Sequence, residues 1–226
     1  MAETFGFPGI DEILSMSSED QERHDREIAE KIAAQEYADK IDNYRKCGIG
    51  ERFFNESFET YTARNEEAKL AKEIVQNFLK DIRQGKFRSL KIIGSVGNGK
   101  THLAGAVLRE YGGKYRTTSQ LVVEYQSTKA FSANLKEKDL IEIYGSTKLL
   151  VIDEIGRSNC EKDEKYMLYT LINARYERRV PTIVIGNFNK VDFAAFVGEA
   201  VTDRLNESVT TVEFTGDSYR IEKRTD

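Results

Sequence analysis

"LKIIGSVGNGKTHLAG", running from Leu90 to Gly105, begins as an apolar run, breaks into glycines and a lysine, and turns apolar again. Gly94, Gly99, Lys100 and Thr101 fit the pattern G-x-x-x-x-G-K-[ST], set between a predicted strand ending at Ile93 and a predicted helix after Lys100. Glycines at 94, 97 and 99 permit backbone angles that side chains forbid. Successive N–H groups can then point inward at phosphate oxygens, helped by the positive end of the helix. Lys100 is expected to reach the β- and γ-phosphates, and the Thr101 hydroxyl to ligate Mg²⁺. With Ser95, Val96, Asn98 and His102 completing the turn, the stretch predicts a nucleoside triphosphate site.

Outward from this loop, strands and helices alternate. A strand is expected near Tyr115, helices around Leu121–Tyr125 and Leu140–Tyr144, and a strand over "KLLVID". A long helix carrying Met167, Leu168, Leu171, Ile172 and Arg175 precedes strand "TIVIGN". Short helices follow near Phe193–Val197 and over "EAVTDRL", then a last strand, "TTVEF". Upstream, Leu70, Ala71, Ile74, Val75, Phe78, Leu79 and Ile82 repeat at helical spacing, and Gly85 stops the run. Continuous apolar strands separated by amphipathic helices predict an α/β fold: a buried, mostly parallel sheet with helices on both faces.

Two strand ends carry chemistry. "LLVIDEIG" puts Asp153 where it can hold Mg²⁺ and Glu154 beside it, a base able to orient and polarise water. The adjacent pair favours hydrolysis over transfer to a small acceptor. "TIVIGN" ends in Asn187, an amide suited to a γ-phosphate or the attacking water.

The amino-terminal part is different. Between Ser18 and Lys46 the chain is charge-dense, with Ser18 and Gln21 fitting a capping box and a thin apolar seam at Ile28, Ile32, Tyr37, Ile41 and Tyr44. One helix is expected, leaning on the body or docking on a partner. Phe5, Phe7, Ile10, Ile13 and Leu14 before it suit a partner-binding peptide. "KCGIGERFFNESFETY" reads as a linker, in which Phe58 and Tyr61 are expected to pack in the core rather than wall a base. The expected division is a helical extension over residues 1–47 and an ATPase domain over 48–226.

The motifs "GSVGNGKTHL", "LLVIDEIG", "EKYMLYTLINARYERRVPTIVIGN", "GEAVTDRL" and "FTGDSYR" together resemble the AAA+ ATPases of the DnaC group, bacterial replicative-helicase loaders and their IstB transposition relatives. The resemblance runs from about "GIGERFFNESFETY" to the carboxyl end. It implies a five-stranded parallel AAA+ sheet whose sensor strand lies between the Walker A and Walker B strands. It also implies ATP and Mg²⁺ as cofactors, with catalytic roles for Glu154, for Asn187 as sensor 1, and for Arg204 as an arginine finger entering a neighbouring subunit's site. Arg220 falls at the sensor 2 arginine. Lys165 and Tyr166 match a single-stranded DNA contact segment, and Arg175, Arg178 and Arg179 form a local basic cluster on the same helix. The expected partners are a hexameric replicative helicase gripped by the extension, single-stranded DNA, and further copies assembling with ATP. The chain departs from the pattern at Ala200, where loaders often carry a second arginine, and it ends soon after "DSYR", short of a helical lid.

Composition narrows the field. The 226 residues suit one core plus an appendage. A net charge of -4 excludes a protein that coats nucleic acid by bulk charge. Cys47 and Cys160, far apart, suggest free thiols, and the lack of a basic leader or long apolar run predicts a cytoplasmic protein with no membrane contact. The alternatives are a transposition accessory ATPase of the IstB kind, a P-loop small-molecule or nucleotide kinase, and an ATP-binding adaptor that does not hydrolyse. The mixed-charge extension argues modestly against a DNA-gripping transposition factor.

Overall fold

The computed structural model describes residues 17–130 and 132–216. Arg220 and the apolar residues from Phe5 to Leu14 lie outside that set. The chain divides into two compact units within the first helix, between Lys40 and Ile41.

That helix, α1 (Ser18–Cys47), is single and uninterrupted, as its charge-dense sequence predicts. Its cap is Ser17, not the expected Ser18. The Asp20 amide donates to Ser17 Oγ at 3.2 Å, and that hydroxyl donates to Asp20 Oδ2 at 2.7 Å, so a shorter side chain one residue earlier closes the turn. Up to Lys40 its apolar seam stays exposed at Ile32 and Tyr37. From Ile41 onward the helix belongs to the main unit, with Tyr44 and Cys47 fully buried in its core.

The main unit contains a five-stranded sheet of strands β1 (Ser89–Gly94), β2 (Lys114–Thr117), β3 (Leu150–Ile155), β4 (Thr182–Gly186) and β5 (Val209–Phe214). Their order is β2-β3-β4-β1-β5, and every pairing is parallel. β4 therefore separates β1 from β3, as the resemblance implies. Alternation along each strand feeds two cores. Leu90, Ile92, Val151, Ile183, Ile185 and Phe214 pack towards α2 (Glu66–Arg83), α3 (Lys100–Tyr111) and the end of α1. Ile93, Leu150, Ile152 and Val184 face the other layer, built from α4 (Thr118–Thr128), α5 (Glu137–Ser146), α6 (Glu161–Glu177), α7 (Lys190–Val197) and α8 (Glu199–Asn206).

α2 shows how local sequence makes an element. Asn65 caps it by accepting from the Ala68 amide at 2.8 Å, Glu66 and Glu67 occupy the positive first turn, and Gly85 ends it at φ +75°. Its apolar stripe, Ala68, Ala71, Val75, Phe78, Leu79 and Ile82, is buried. No helix among the described residues is long and apolar enough to cross a membrane.

Candidate functional site

Parallel strands deliver their carboxyl ends to one edge, where α/β sheets bind ligands. There β1 runs into the glycine loop, β3 into Asp153 and Glu154, and β4 into Asn187. A cavity of about 450 Å³ is lined by Val96, Gly97, Asn98, Gly99, Lys100, Thr101, His102, Asp153, Glu154 and Asn187. It therefore gathers residues far apart along the chain.

The loop could not be built from other residues. Gly94, Gly97 and Gly99 have φ of 125°, 90° and 78°. A Cβ on Gly94 would lie 2.1 Å from the Phe214 carbonyl oxygen, and one on Gly99 would lie 2.8 Å from the Tyr61 ring. α3 begins at Lys100, so its first-turn N–H groups, which have no helical acceptors, face the cavity mouth. Lys100 is buried, its Nζ donating to the carbonyls of Gly94 at 2.8 Å and Ser95 at 2.5 Å. Asn98 and Ser95 tie the loop to the last described residue: Asn98 Nδ2 and Ser95 Oγ donate to the Gly216 carbonyl at 3.0 and 2.7 Å. Glu67 grips the same segment, accepting from the Thr215 amide and hydroxyl at 2.8 and 2.7 Å. Although burial opposes ionisation, these donors hold the Glu67 carboxyl below its ordinary pKa.

Asp153 is nearly inaccessible, and three donors surround it. Thr101 Oγ1 and Tyr115 Oη donate to Oδ2 at 2.8 and 2.9 Å, and the Glu154 amide donates to Oδ1 at 2.6 Å. Burial, then the neighbouring Asp153 charge, drives the Tyr115 phenol far above its usual pKa, so it remains a donor. The β3–β4 register shifts between Ile152 and Ile155, a bulge at these carboxylates. Within it Glu154 adopts φ 59°, a left-handed conformation that costs a side-chain-bearing residue about 1–2 kcal/mol. Its carbonyl is held by the Thr118 hydroxyl at 2.8 Å and the Arg157 amide at 3.0 Å, leaving the carboxylate exposed to the cavity. The turn that follows is fixed by buried Glu164 on α6, which accepts from the Gly156 and Ser158 amides at 2.6 and 3.1 Å.

The same cavity takes in residues that sequence reading passed over: Arg52, Phe53, Glu56 and Arg157. The first three come from the expected linker, where a 3₁₀ turn at Glu51–Phe53 sets the Arg52 guanidinium 4.4 Å from the Phe53 ring centre. Phe58 and Tyr61 are buried in the core, as expected. His102 fastens this segment to α3, its Nε2 donating to the Ser57 carbonyl at 2.8 Å, and burial lowers its pKa.

Glycine-built walls, an ammonium and a helix start suit a triphosphate, and the hard oxygens of Thr101 and Asp153, 2.8 Å apart, suit Mg²⁺. Comparison with known proteins agrees. The IstB-like ATP binding protein family matches residues 12–226.

The chain belongs to that family.

Among relatives of this ATP-binding family, the replicative helicase loader DnaC of Escherichia coli K12 is 29% identical over 185 residues, covering 78% of this chain and 74% of the relative. DnaC of Buchnera aphidicola from Acyrthosiphon pisum is 26% identical over 181 residues, covering 77% and 73%. An insertion sequence IS232 protein of Bacillus thuringiensis is 30% identical over 141 residues, covering 59% and 56%. In fold, the crystal structure of the DnaC helicase loader superposes with a TM-score of 0.65 at 22% identity, covering 74% of this chain and all of that one. DnaI gives 0.61 at 16%, covering 74% and 95%. The fold is thus the AAA+ arrangement of the DnaC and IstB group.

Arg204 does not line its own chain's cavity. On α8 its Nε donates to Asn173 Oδ1 at 2.5 Å, its guanidinium lies 5.6 Å from the Tyr169 ring centre, and both partners belong to α6. Arg220 is outside the described residues.

The expected DNA-contact set does not form one surface. Arg175 is fully buried, which removes it from the set. Its guanidinium donates to Thr182 Oγ1 at 2.8 Å and to the carbonyls of Tyr144 at 2.5 Å, Thr147 at 2.8 Å and Pro181. Burial, then nearby Arg178, lowers its pKa to about 9, still charged at neutral pH. Lys165 and Tyr166 sit near the start of α6; Tyr166 is 43% exposed, with its hydroxyl 2.5 Å from Glu137 and its ring 5.3 Å from that of Tyr125. Lys165 pairs with Glu161 at 2.7 Å. Arg178 and Arg179 follow at the opposite end, about 20 Å along the helix axis at 1.5 Å per residue. There Arg178 pairs with Glu142 at 2.6 Å, and Arg179 lies 5.2 Å from the Phe87 ring centre.

An Arg175→Met variant is therefore expected to lose about 2–4 kcal/mol of stability in urea unfolding, because orphaned buried carbonyls each cost free energy. Its affinity for single-stranded DNA should match the parent's under conditions where both are folded. Parent-like stability with weakened DNA binding would restore a contact role.

Proposed function

We propose that this chain is an ATP-dependent loader of a hexameric replicative DNA helicase onto single-stranded DNA, acting in the cytoplasm and hydrolysing ATP where subunits meet. The observation that carries this reading is the position of Arg204, anchored to α6 and absent from the lining of its own cavity. A guanidinium placed there serves a neighbour's triphosphate more readily than its own. Support also comes from the relatives named replicative helicase loader, which the chain matches over about three-quarters of both lengths.

In this reading the loop amides and Lys100 bind the phosphates. Thr101 and Asp153 hold Mg²⁺, which when bound neutralises charge on the phosphate oxygens. Glu154 orients water and accepts its proton, Asn187 aligns it, and Arg204 of an adjoining copy stabilises charge on the leaving phosphate. Ser95 and Asn98, bonded to Gly216, bring the loop to the segment that leads on to Arg220. Of the extension expected over residues 1–47, the part up to about Lys40 grips the helicase, because Tyr44 and Cys47 are buried in the core of the main unit. Lys165 and Tyr166 meet single-stranded DNA, the aromatic ring offering a stacking surface worth about 1–3 kcal/mol per base.

A second reading, an accessory ATPase of transposition, is favoured by the family match and the insertion-sequence relative. The test is phosphate release by the full chain with single-stranded DNA, with a hexameric replicative helicase and with a transposase, alongside co-elution of each protein. Helicase co-elution with stimulated release is expected. Response to the transposase alone would favour the second reading, and phosphate transfer to a small acceptor would overturn both.

A further inference from the structure

The Asp153 carboxylate has one donor that the phosphate-binding motif does not include. Thr101, in the first turn of α3, and Glu154, next to Asp153 on β3, both line the cavity, whereas Tyr115 comes from β2, the strand paired with β3 on its outer side. In the parallel register Thr117 stands opposite Asp153 and Tyr115 opposite Val151. Tyr115 is thus the diagonal neighbour of Asp153 on one sheet face, within reach of a long side chain. Its ring is 6% exposed and packs in the core that contains Tyr44, Cys47 and Val151, so the hydroxyl is delivered from a fixed base.

Asp153 needs such a restraint. It sits where the β3–β4 register shifts between Ile152 and Ile155, beside a residue in a left-handed conformation, so pairing with β4 does not help to set its direction and β2 is the strand that remains in register with it. An ionised carboxylate offers about four acceptor positions, and three donors leave room for a metal or its water.

We infer that Tyr115 is a positioning residue for the metal–nucleotide centre, its hydroxyl holding the Asp153 carboxylate beside Thr101 from a strand that takes no other part in the site. This rests on the nucleotide-site reading above. Outer donors to a metal ligand commonly change metal affinity by about 10–100-fold when removed.

The experiment compares the full chain with Tyr115→Phe, which keeps the ring and its packing and loses only the hydroxyl. A fluorescent ATP analogue reports binding in EDTA and across a Mg²⁺ titration, and thermal unfolding is followed without nucleotide. The Mg²⁺ concentration at half-maximal binding should rise about 10-fold or more in the variant, while binding in EDTA stays within about twofold. In an Asp153→Asn background, adding Tyr115→Phe should change the Mg²⁺ titration no further. An unchanged Mg²⁺ midpoint overturns the inference. So does an equal loss with and without Mg²⁺, the mark of a packing role, or full additivity with Asp153→Asn. A parent chain that binds no nucleotide in either condition overturns the nucleotide-site reading itself, and the inference with it.

Discussion

An Arg204→Ala chain is expected to bind ATP like the parent and to lose about 10³–10⁵ in assembled turnover, the range supplied by an arginine that reaches transition-state charge from a neighbouring molecule. The structural cost should be small. Arg204 makes a 2.5 Å bond to Asn173, a 2.9 Å bond to the Ala200 carbonyl and a ring contact with Tyr169, all on a half-exposed helix surface. Such contacts together amount to about 1 kcal/mol. Phosphate release per molecule, followed as the protein is concentrated, should climb for the parent and stay flat for the variant. Complementation makes the assignment sharper. In a mixture of Arg204→Ala with Glu154→Gln, the first contributes an intact cavity and the second an intact guanidinium, so activity should reappear. If two such inactive chains remain inactive together while still assembling, Arg204 does not act between subunits.

Glu154→Gln should be the second large effect, a fall of about 10²–10⁴ in hydrolysis, the usual contribution of a general base, with ATP binding retained. The amide keeps the size of the side chain and leaves unchanged the backbone bonds to Asp153, Thr118 and Arg157. Because the residue sits at φ 59°, a Glu154→Gly chain separates backbone from carboxylate. Glycine takes this conformation freely, so that variant should unfold no more readily than the parent and yet be equally inactive. Substantial turnover in either variant would mean that water is activated elsewhere, and an unchanged rate would favour an adaptor in which this carboxylate has no chemical role.

The legible part of the molecule was the part written in short range. The phosphate loop is contiguous, and its glycines, lysine and threonine act through the backbone of a strand, a turn and the first turn of a helix that follow one another directly. The alternating elements and the helix face from Ala71 to Ile82 were readable for the same reason, since periodicity is a local property, whereas Leu70, counted in that run, points to solvent at 57% exposure and Ala68 takes the buried place before it. Where partners come from afar, reading along the chain failed. Arg175 looks like one of three neighbouring basic residues, but the carbonyls of Tyr144, Thr147 and Pro181 close around it once α5, α6 and β4 pack. Arg178 and Arg179 share its stretch of sequence but come after the helix end at Glu177, where Arg179 turns at φ 52°, and both stay exposed beside Glu142 and Phe87.

The amino-acid order alone thus determined the α/β class, the glycine loop between β1 and α3 and the carboxylate pair at the end of β3, all consequences of backbone geometry within a few residues. The tertiary structure decided which distant side chains share the cavity: Arg52 and Phe53 from a segment that reads as linker, Tyr115 on Asp153, and the exclusion of Arg204 from its own site. Strand order and register set those distances, and both come from packing over the whole sheet, which no local pattern of residues encodes.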